Sequence, residues 1–219
     1  MKLNMTTVPA PGLLITFCGL DGCGKSTMIH LLHRFLDSMG QDILLTKQPT
    51  DFVRRSDIFR AYMDQPDHDA YDYRSLSLLA ASDRVQHTNR VIRPAVEAGM
   101  TVVSDRYFYS CLANLRARGY REDTWIYEIA ESILAPDLSF FLDVPVDTAI
   151  QRVRSRPQER NRFIDEELQY HLRKEYLEIA KENHGIVLDS SKQVDETFAE
   201  VRSAVENRLS LAWRKTAYV

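Results

Sequence analysis

Residues 19–27 read Gly-Leu-Asp-Gly-Cys-Gly-Lys-Ser-Thr. This spacing, Gly-x-x-x-x-Gly-Lys-[Ser/Thr], suits a loop that wraps the phosphates of a nucleoside triphosphate. Gly19, Gly22 and Gly24 allow left-handed dihedrals that a Cβ would penalise. A loop bent that way turns several N–H groups inward as an anion nest. The helix after it adds unpaired N-terminal donors and the positive end of its dipole. In this reading Gly19, Gly22, Cys23, Gly24, Lys25, Ser26 and Thr27 hold the nucleotide cofactor. Lys25 reaches the β- and γ-phosphates, and the Ser26 hydroxyl ligates Mg²⁺. A plain glycine turn would have no use for Lys-Ser-Thr at that offset.

Two further groups of charge fit the same chemistry. Asp105-Arg106-Tyr107 follows a short apolar run, which sets an acid and a base side by side where Mg²⁺ and phosphate should lie. Arg152, Arg154, Arg156, Arg160 and Arg162 surround Pro157. A charge run is usually a solvated face. Phosphoryl transfer, however, is catalysed mostly by positioning and by cations set against developing charge. It also needs water kept out, since water would take the phosphoryl group instead. Arginines around a break between two helices suit a mobile lid over about residues 152–164.

Elements of a definite kind must carry these residues. Short apolar runs at Leu13–Cys18, Ile43–Thr46, Thr101–Ser104, Leu138–Leu142 and Ile186–Leu188 alternate with longer helical patterns. Met28, Ile29, Leu31, Leu32, Phe35, Leu36 and Met39 recur at helical spacing until Gly40. Strands alternating with helices predict an α/β fold, a five-stranded parallel sheet with helices on both faces. Ligands of such sheets bind beyond the carboxyl ends of the strands. Those ends run into the phosphate loop, Lys47-Gln48-Pro49, Asp105-Arg106-Tyr107, Asp143 and Asp189-Ser190-Ser191. Charges at four of the ends should converge on one rim, although Asp143 or Asp189 would equally serve as a helix cap.

The chain has 219 residues, enough for one substantial core, and a net charge of −3. No global basic field recruits nucleic acid or anionic lipid. Cys18, Cys23 and Cys111 are odd in number and spaced for neither zinc nor a disulfide framework. They read as thiols in a reducing cytoplasm. No run approaches the ~18 apolar residues of a membrane span, and Met1–Pro11 does not read as a signal peptide. The expected organisation is one domain over 1–219, with 1–11 as a flexible N-terminus.

At this point the chain resembles the thymidylate kinase family of P-loop nucleoside monophosphate kinases. Gly19–Thr27 is similar to its phosphate loop, including the acidic Asp21. Leu78–Gln86 resembles the helix whose Arg faces the acceptor base. Ile92–Ala95 and Ser104–Tyr107 resemble the Pro-containing helix, third strand and Asp-Arg-Tyr motif. Pro136–Leu138, Asp143–Pro145 and Arg162–Leu177 resemble the fourth strand, its exit, the lid and the next helix. The resemblance implies a three-layer P-loop kinase fold with a short Arg-rich lid. It implies transfer from ATP with Mg²⁺ to a small-molecule nucleotide acceptor, dTMP first, by a homodimer. Lys25, Asp21 and Arg106 with the lid's Arg154, Arg160 and Arg162 become the catalytic set. Ser26 and Asp105 become the metal ligands. Lys47, Arg84, Arg106, Tyr107 and Asn114 become the acceptor site. Gly22 stands where some members carry a catalytic Arg, so the lid arginines would supply that charge.

The departures cluster on the acceptor side. Lys47-Gln48-Pro49 replaces Arg-Glu-Pro and loses a guanidinium fork. Ala80 stands where the family stacks a Phe on thymine. Asn114 and Leu115 replace the Tyr that disfavours a 2′-hydroxyl and a polar partner of the base. Asn161-Arg162-Phe163-Ile164 replaces Asp-Arg-x-Glu in the lid. Tyr71, Tyr73, Phe52, Phe59 and Tyr109 are candidate replacements for the lost ring. These changes keep two other readings open: a kinase for a ribonucleotide, a modified pyrimidine nucleotide or another metabolite, and a protein that binds nucleotide without transferring phosphate.

Overall fold

A computed structural model describes residues 2–65 and 70–216. The five apolar runs form the strands of one parallel sheet: β1 Leu13–Cys18, β2 Ile43–Lys47, β3 Thr101–Asp105, β4 Leu138–Asp143 and β5 Ile186–Asp189. Their order is β2-β3-β1-β4-β5, and every pairing is parallel. Parallel neighbours need long crossovers, and helices supply them. These are α1 Lys25–Ser38, α2 Asp51–Arg54, α3 Asp57–Asp64, α4 Tyr73–His87, α5 Arg93–Glu97, α6 Phe108–Ala117, α7 Trp125–Ala130, α8 Val146–Arg154, α9 Glu166–Glu182 and α10 Val194–Thr216.

The centre of the sheet is dry because it is covered on both faces. Every residue of β1 is buried, as a near-continuous apolar run in such a sheet should be. Phe17 of β1 stacks on Phe140 of β4 at 5.0 Å. α1 packs on β1 and β3 and against α10, while α6 packs against α4 and α9. A π-helical turn at Thr88–Ile92 joins α4 to α5. Gly185 lets the chain enter β5, since a Cβ there would lie 2.4 Å from the Phe141 ring.

The N-terminal segment departs from the expectation of a flexible 1–11. Leu3 is buried, and its N–H donates to Asn183 Oδ1 at 3.0 Å. Thr6 bridges to the 133–135 segment through its backbone and its hydroxyl. Leu3, Met5 and Val8 pack on the core, and that apolar contact ties the segment down. The three cysteines are free and buried, and burial pushes the Cys18 thiol up to about 11. Among the described residues no helix is long and apolar enough to cross a membrane.

Candidate active site

The turn between β1 and α1 folds as its glycines require. Gly19, Gly22 and Gly24 have φ of 137°, 83° and 97°. At Gly22 a Cβ would lie 2.2 Å from the Ala149 carbonyl oxygen of α8. Gly24 is the N-cap of α1, whose first turn carries no acidic residue to cancel its positive end. From the far side, the Ser190 hydroxyl donates to Cys23 O at 2.7 Å, which pins the loop to the exit of β5.

Lys25 is buried, and its ammonium donates to Leu20 O at 2.7 Å and Gly19 O at 3.2 Å. The loop's own carbonyls therefore hold the cation in the turn. Ser26 and Thr27 line the cavity just outside it.

Arg106 links this loop to the end of β3. Its backbone is left-handed, φ 69°, which is unusual for a residue with a Cβ. Its N–H donates to Phe17 O at 2.8 Å. Its guanidinium donates to Asp21 Oδ1 at 2.5 Å, Gly19 O at 3.1 Å and the Tyr176 hydroxyl at 3.0 Å. Asp21 also accepts from Arg162 of the lid at 2.6 Å. Burial alone would raise the Asp21 carboxyl; Arg106, Lys25 and Arg162 outweigh it and hold it well below the usual carboxylate range. Burial opposes the charge on Arg106, but Tyr176, Asp21 and Asp105 more than restore it.

A cavity of about 430 Å³ opens over this cluster. Its walls include Asp21, Gly22, Gly24, Lys25, Ser26 and Thr27 from the loop, and Lys47, Asp105 and Arg106 from the strand ends. Arg84 and Asn114 come from α4 and α6, and Arg156 and Arg162 from the lid. Most of the expected site residues thus meet on one cavity. Asp105 Oδ2 lies 3.3 Å from Lys47, while Asp105 Oδ1 is buried with no partner among the described residues. An orphaned carboxylate oxygen and the Ser26 hydroxyl on one wall fit Mg²⁺, which takes one or two carboxylates and fills its shell with phosphate and water.

Some expected residues lie elsewhere. Tyr107 is fully buried and its hydroxyl donates to Leu134 O at 2.7 Å, so its ring belongs to the core and not to the acceptor site. Gly19 and Cys23, though part of the loop, do not line the cavity. Arg154 pairs with Glu166 at 3.2 Å outside the cavity, and Arg160 is exposed and off its wall. Asp143 is taken by Arg173 of α9 in a two-pronged pair at 2.7 and 2.8 Å, which anchors the helix after the lid. Asp189 accepts from Ser191. Only two of the four charged strand ends therefore face the cavity. Of the aromatic candidates, Tyr73 and Phe59 reach it. Tyr109 is buried against Phe141, and Phe52 is 73% exposed.

Sequence reasoning missed Arg54, Arg118 and Tyr176, all on the cavity wall. Arg54 follows the exit of β2 and donates to Pro49 O at 2.7 Å. Burial, with Arg106 nearby, lowers its pKa. The rule that strand ends carry the chemistry would have found it had it been extended seven residues past Lys47.

A family model for thymidylate kinase matches residues 17–201. The chain belongs to the thymidylate kinase family. It is 37% identical over 206 residues to a thymidylate kinase of Geobacillus sp. (strain WCH70), covering 90% of this chain and 98% of that one. It is 36% identical over 174 residues to a probable thymidylate kinase of Thermococcus kodakarensis, covering 77% and 84%. A probable thymidylate kinase of Thermococcus gammatolerans is 32% identical over 206 residues, covering 90% and 98%. This member of the thymidylate kinase family is thus an enzyme, a nucleoside monophosphate kinase that transfers a phosphoryl group to a nucleoside monophosphate. Ala80 and Asn114 line the cavity, and neither side chain offers a ring.

Proposed function

We propose that the chain, acting as one domain, moves the γ-phosphoryl group of ATP to the 5′-phosphate of dTMP. The observation that carries this reading is the single cavity shared by the phosphate loop and the cations of the β2, β3, α2 and α4 side. Lys25 leaves its two carbonyls for the β- and γ-phosphates when ATP enters. Lys47, Arg54 and Arg106 hold the acceptor phosphate, and Arg162 with Arg156 closes over the transferred group. Transfer is dominated by such charge placement. Asp21, held ionised, does not act as a base; it fixes Arg106 and Arg162 against one another across the reaction path. Ser26 and Asp105 would hold Mg²⁺, which would supply charge neutralisation to the phosphates. Leu78 and Val91, exposed on α4 and the turn after it, support a homodimer.

A coupled ADP-release assay over dTMP, other nucleoside monophosphates and non-nucleotide acceptors tests the reading. Turnover should require a nucleoside monophosphate and be fastest with dTMP. A second reading, a related acceptor, is favoured by Ala80 and Asn114 on the wall, and turnover greatest with a ribonucleotide or a modified pyrimidine nucleotide would select it. ATP binding without transfer to any acceptor would remove both.

A further inference from the structure

Arg118 lies at the far end of α6 from Arg106, roughly 15 Å along a helix at 1.5 Å per residue. It lines the cavity at that end. Phosphate chemistry does not account for a cation there. Among the described residues no carboxylate pairs with it, whereas Arg106, Arg156 and Arg162 on the same cavity each have one. Its guanidinium is nevertheless fixed. One face lies 4.0 Å over the Tyr73 ring, with Tyr62 at 5.8 Å. Its Nη1 donates to Asn114 Oδ1 at 3.0 Å, and the Asn114 amide donates in turn to Ser110 O at 2.9 Å. Tyr62 meets Tyr73 edge to face at 5.0 Å and braces it.

Among the described residues, the remaining donors of this fork, at Nε and Nη2, have no protein acceptor. A guanidinium only donates and never accepts. Stacked over an aromatic ring, it is set to donate to an acceptor atom at the edge of a bound base. Arg84 is poorly placed to do the same work. Its Nη1 is bonded to Ala80 O at 2.8 Å and its Nε to Tyr107 O at 3.4 Å. Ala80 lines the same cavity and offers no ring to select by bulk, so the chemistry of the ring edge is left to discriminate.

We propose that Arg118 is a specificity-determining residue that reads the keto edge of the acceptor base. Thymine, uracil and guanine present oxygen there; cytosine and adenine present an amino group, which would set donor against donor. The inference rests on the kinase reading above and names the acceptor class within it: nucleoside monophosphates with a keto-bearing base.

The test is the ratio of kcat/KM for dTMP over dCMP, and for dGMP over dAMP, in the full chain and in Arg118→Met, Arg118→Lys and Asn114→Ala. Met keeps packing on Tyr73 without the donors. Arg118→Met should lower both ratios by about 5- to 150-fold, the range over which a good base-edge contact discriminates against the wrong base. The loss should fall on the acceptor KM, with the KM for ATP unchanged. Arg118→Lys should lose part of the ratio, because the charge survives and the fork does not. Asn114→Ala, which keeps Arg118 but unfixes it, should lower the ratio too; it decides the matter if Arg118→Met does not fold. Unchanged ratios in folded Arg118→Met, or in Asn114→Ala, would overturn the assignment while leaving the kinase intact. No turnover by the unaltered chain on any nucleoside monophosphate would overturn the kinase reading itself, and this inference with it.

Discussion

Asp21 of the phosphate loop and Arg162 of the lid are joined at 2.6 Å, across 141 residues of sequence. The same carboxylate holds Arg106 at the end of β3. One acid therefore ties together the loop after β1, the end of β3 and the segment between α8 and α9. Asp21→Asn keeps the shape and removes the charge that holds two guanidinium groups in place. Turnover should fall by about tenfold to a hundredfold through misplacement of those cations, with a smaller change in the KM for ATP. Steady-state kinetics checks this, and an unchanged kcat would show that the clamp has no part in the reaction.

The same carboxylate makes a prediction about acid stability. Its pKa in the folded protein lies below the value of about 3.9 for an unfolded Asp. Near and below that value the unfolded chain binds the proton more readily, so folding stability rises with pH there. The contribution of Asp21 is complete above about pH 4 and is lost as pH falls toward its folded pKa. Thermal unfolding scanned from pH 6 to pH 3 should show Tm dropping more steeply below pH 4 in the unaltered protein than in Asp21→Asn. Parallel curves would remove Asp21 as the cause.

Arg106 combines a side chain on the cavity wall with a costly backbone. At φ 69° an L-residue carries a penalty of about 1–2 kcal/mol that glycine escapes. Arg106→Ala and Arg106→Gly should both lose at least about a hundredfold in turnover, since each removes charge facing the transferred group. The two should differ in stability. Glycine's extra chain entropy offsets part of its advantage, so the Gly variant should be more stable than the Ala variant by about 1 kcal/mol. Urea unfolding measures the difference; an Ala variant at least as stable would argue against a left-handed Arg106 in solution.

The phosphate loop and the sheet were legible because their signals are local. Gly19–Thr27 carries its geometry within nine residues, and each strand is an apolar run with a charged or polar exit. The partners of those residues were less legible because they come from far along the chain. Tyr176 reaches Arg106 from 70 residues away, and Arg173 takes Asp143 from 30. Neither α9 residue advertises this by type, since Tyr and Arg are common on a half-buried helix. Tyr107 was misread because it follows Arg106: the left-handed turn sends the guanidinium to the loop while the next ring goes into the core. The N-terminus was misread because Leu3, Met5 and Val8 are too few and too scattered for periodicity to register.

Gly22 is limited by α8 as well as by its own dihedrals. A Cβ there would meet the Ala149 carbonyl at 2.2 Å while the backbone stays at φ 83°. Gly22→Ala must therefore displace the loop or the helix that leads to the lid, at a cost on the order of 1–3 kcal/mol. If this loop holds the donor as proposed, the KM for ATP should rise while the ratio of activity among acceptors stays fixed. A changed acceptor ratio would mean that the loop also shapes the acceptor pocket.

The lid arginines differ in where their charge goes, and that separates them by experiment. Arg162 faces the cavity and holds Asp21, whereas Arg154 is paired with Glu166 at the surface. An exposed pair of that kind is worth at most about 1 kcal/mol. Arg162→Ala removes a cation from the cavity wall and frees one side of Asp21, so on the proposed reading kcat should fall by at least about a hundredfold. Arg154→Ala should change kcat by less than about threefold and leave Tm nearly unchanged. Arg160 is exposed and lies off the cavity wall, so Arg160→Ala should behave like Arg154→Ala as long as the lid keeps this arrangement with nucleotide bound. Single-turnover rates at saturating ATP and acceptor distinguish the three without interference from product release. A large loss in Arg154→Ala with little in Arg162→Ala would mean that the lid rotates on closure and exchanges one guanidinium for another, and that the pairing of Arg162 with Asp21 belongs to the ligand-free enzyme alone.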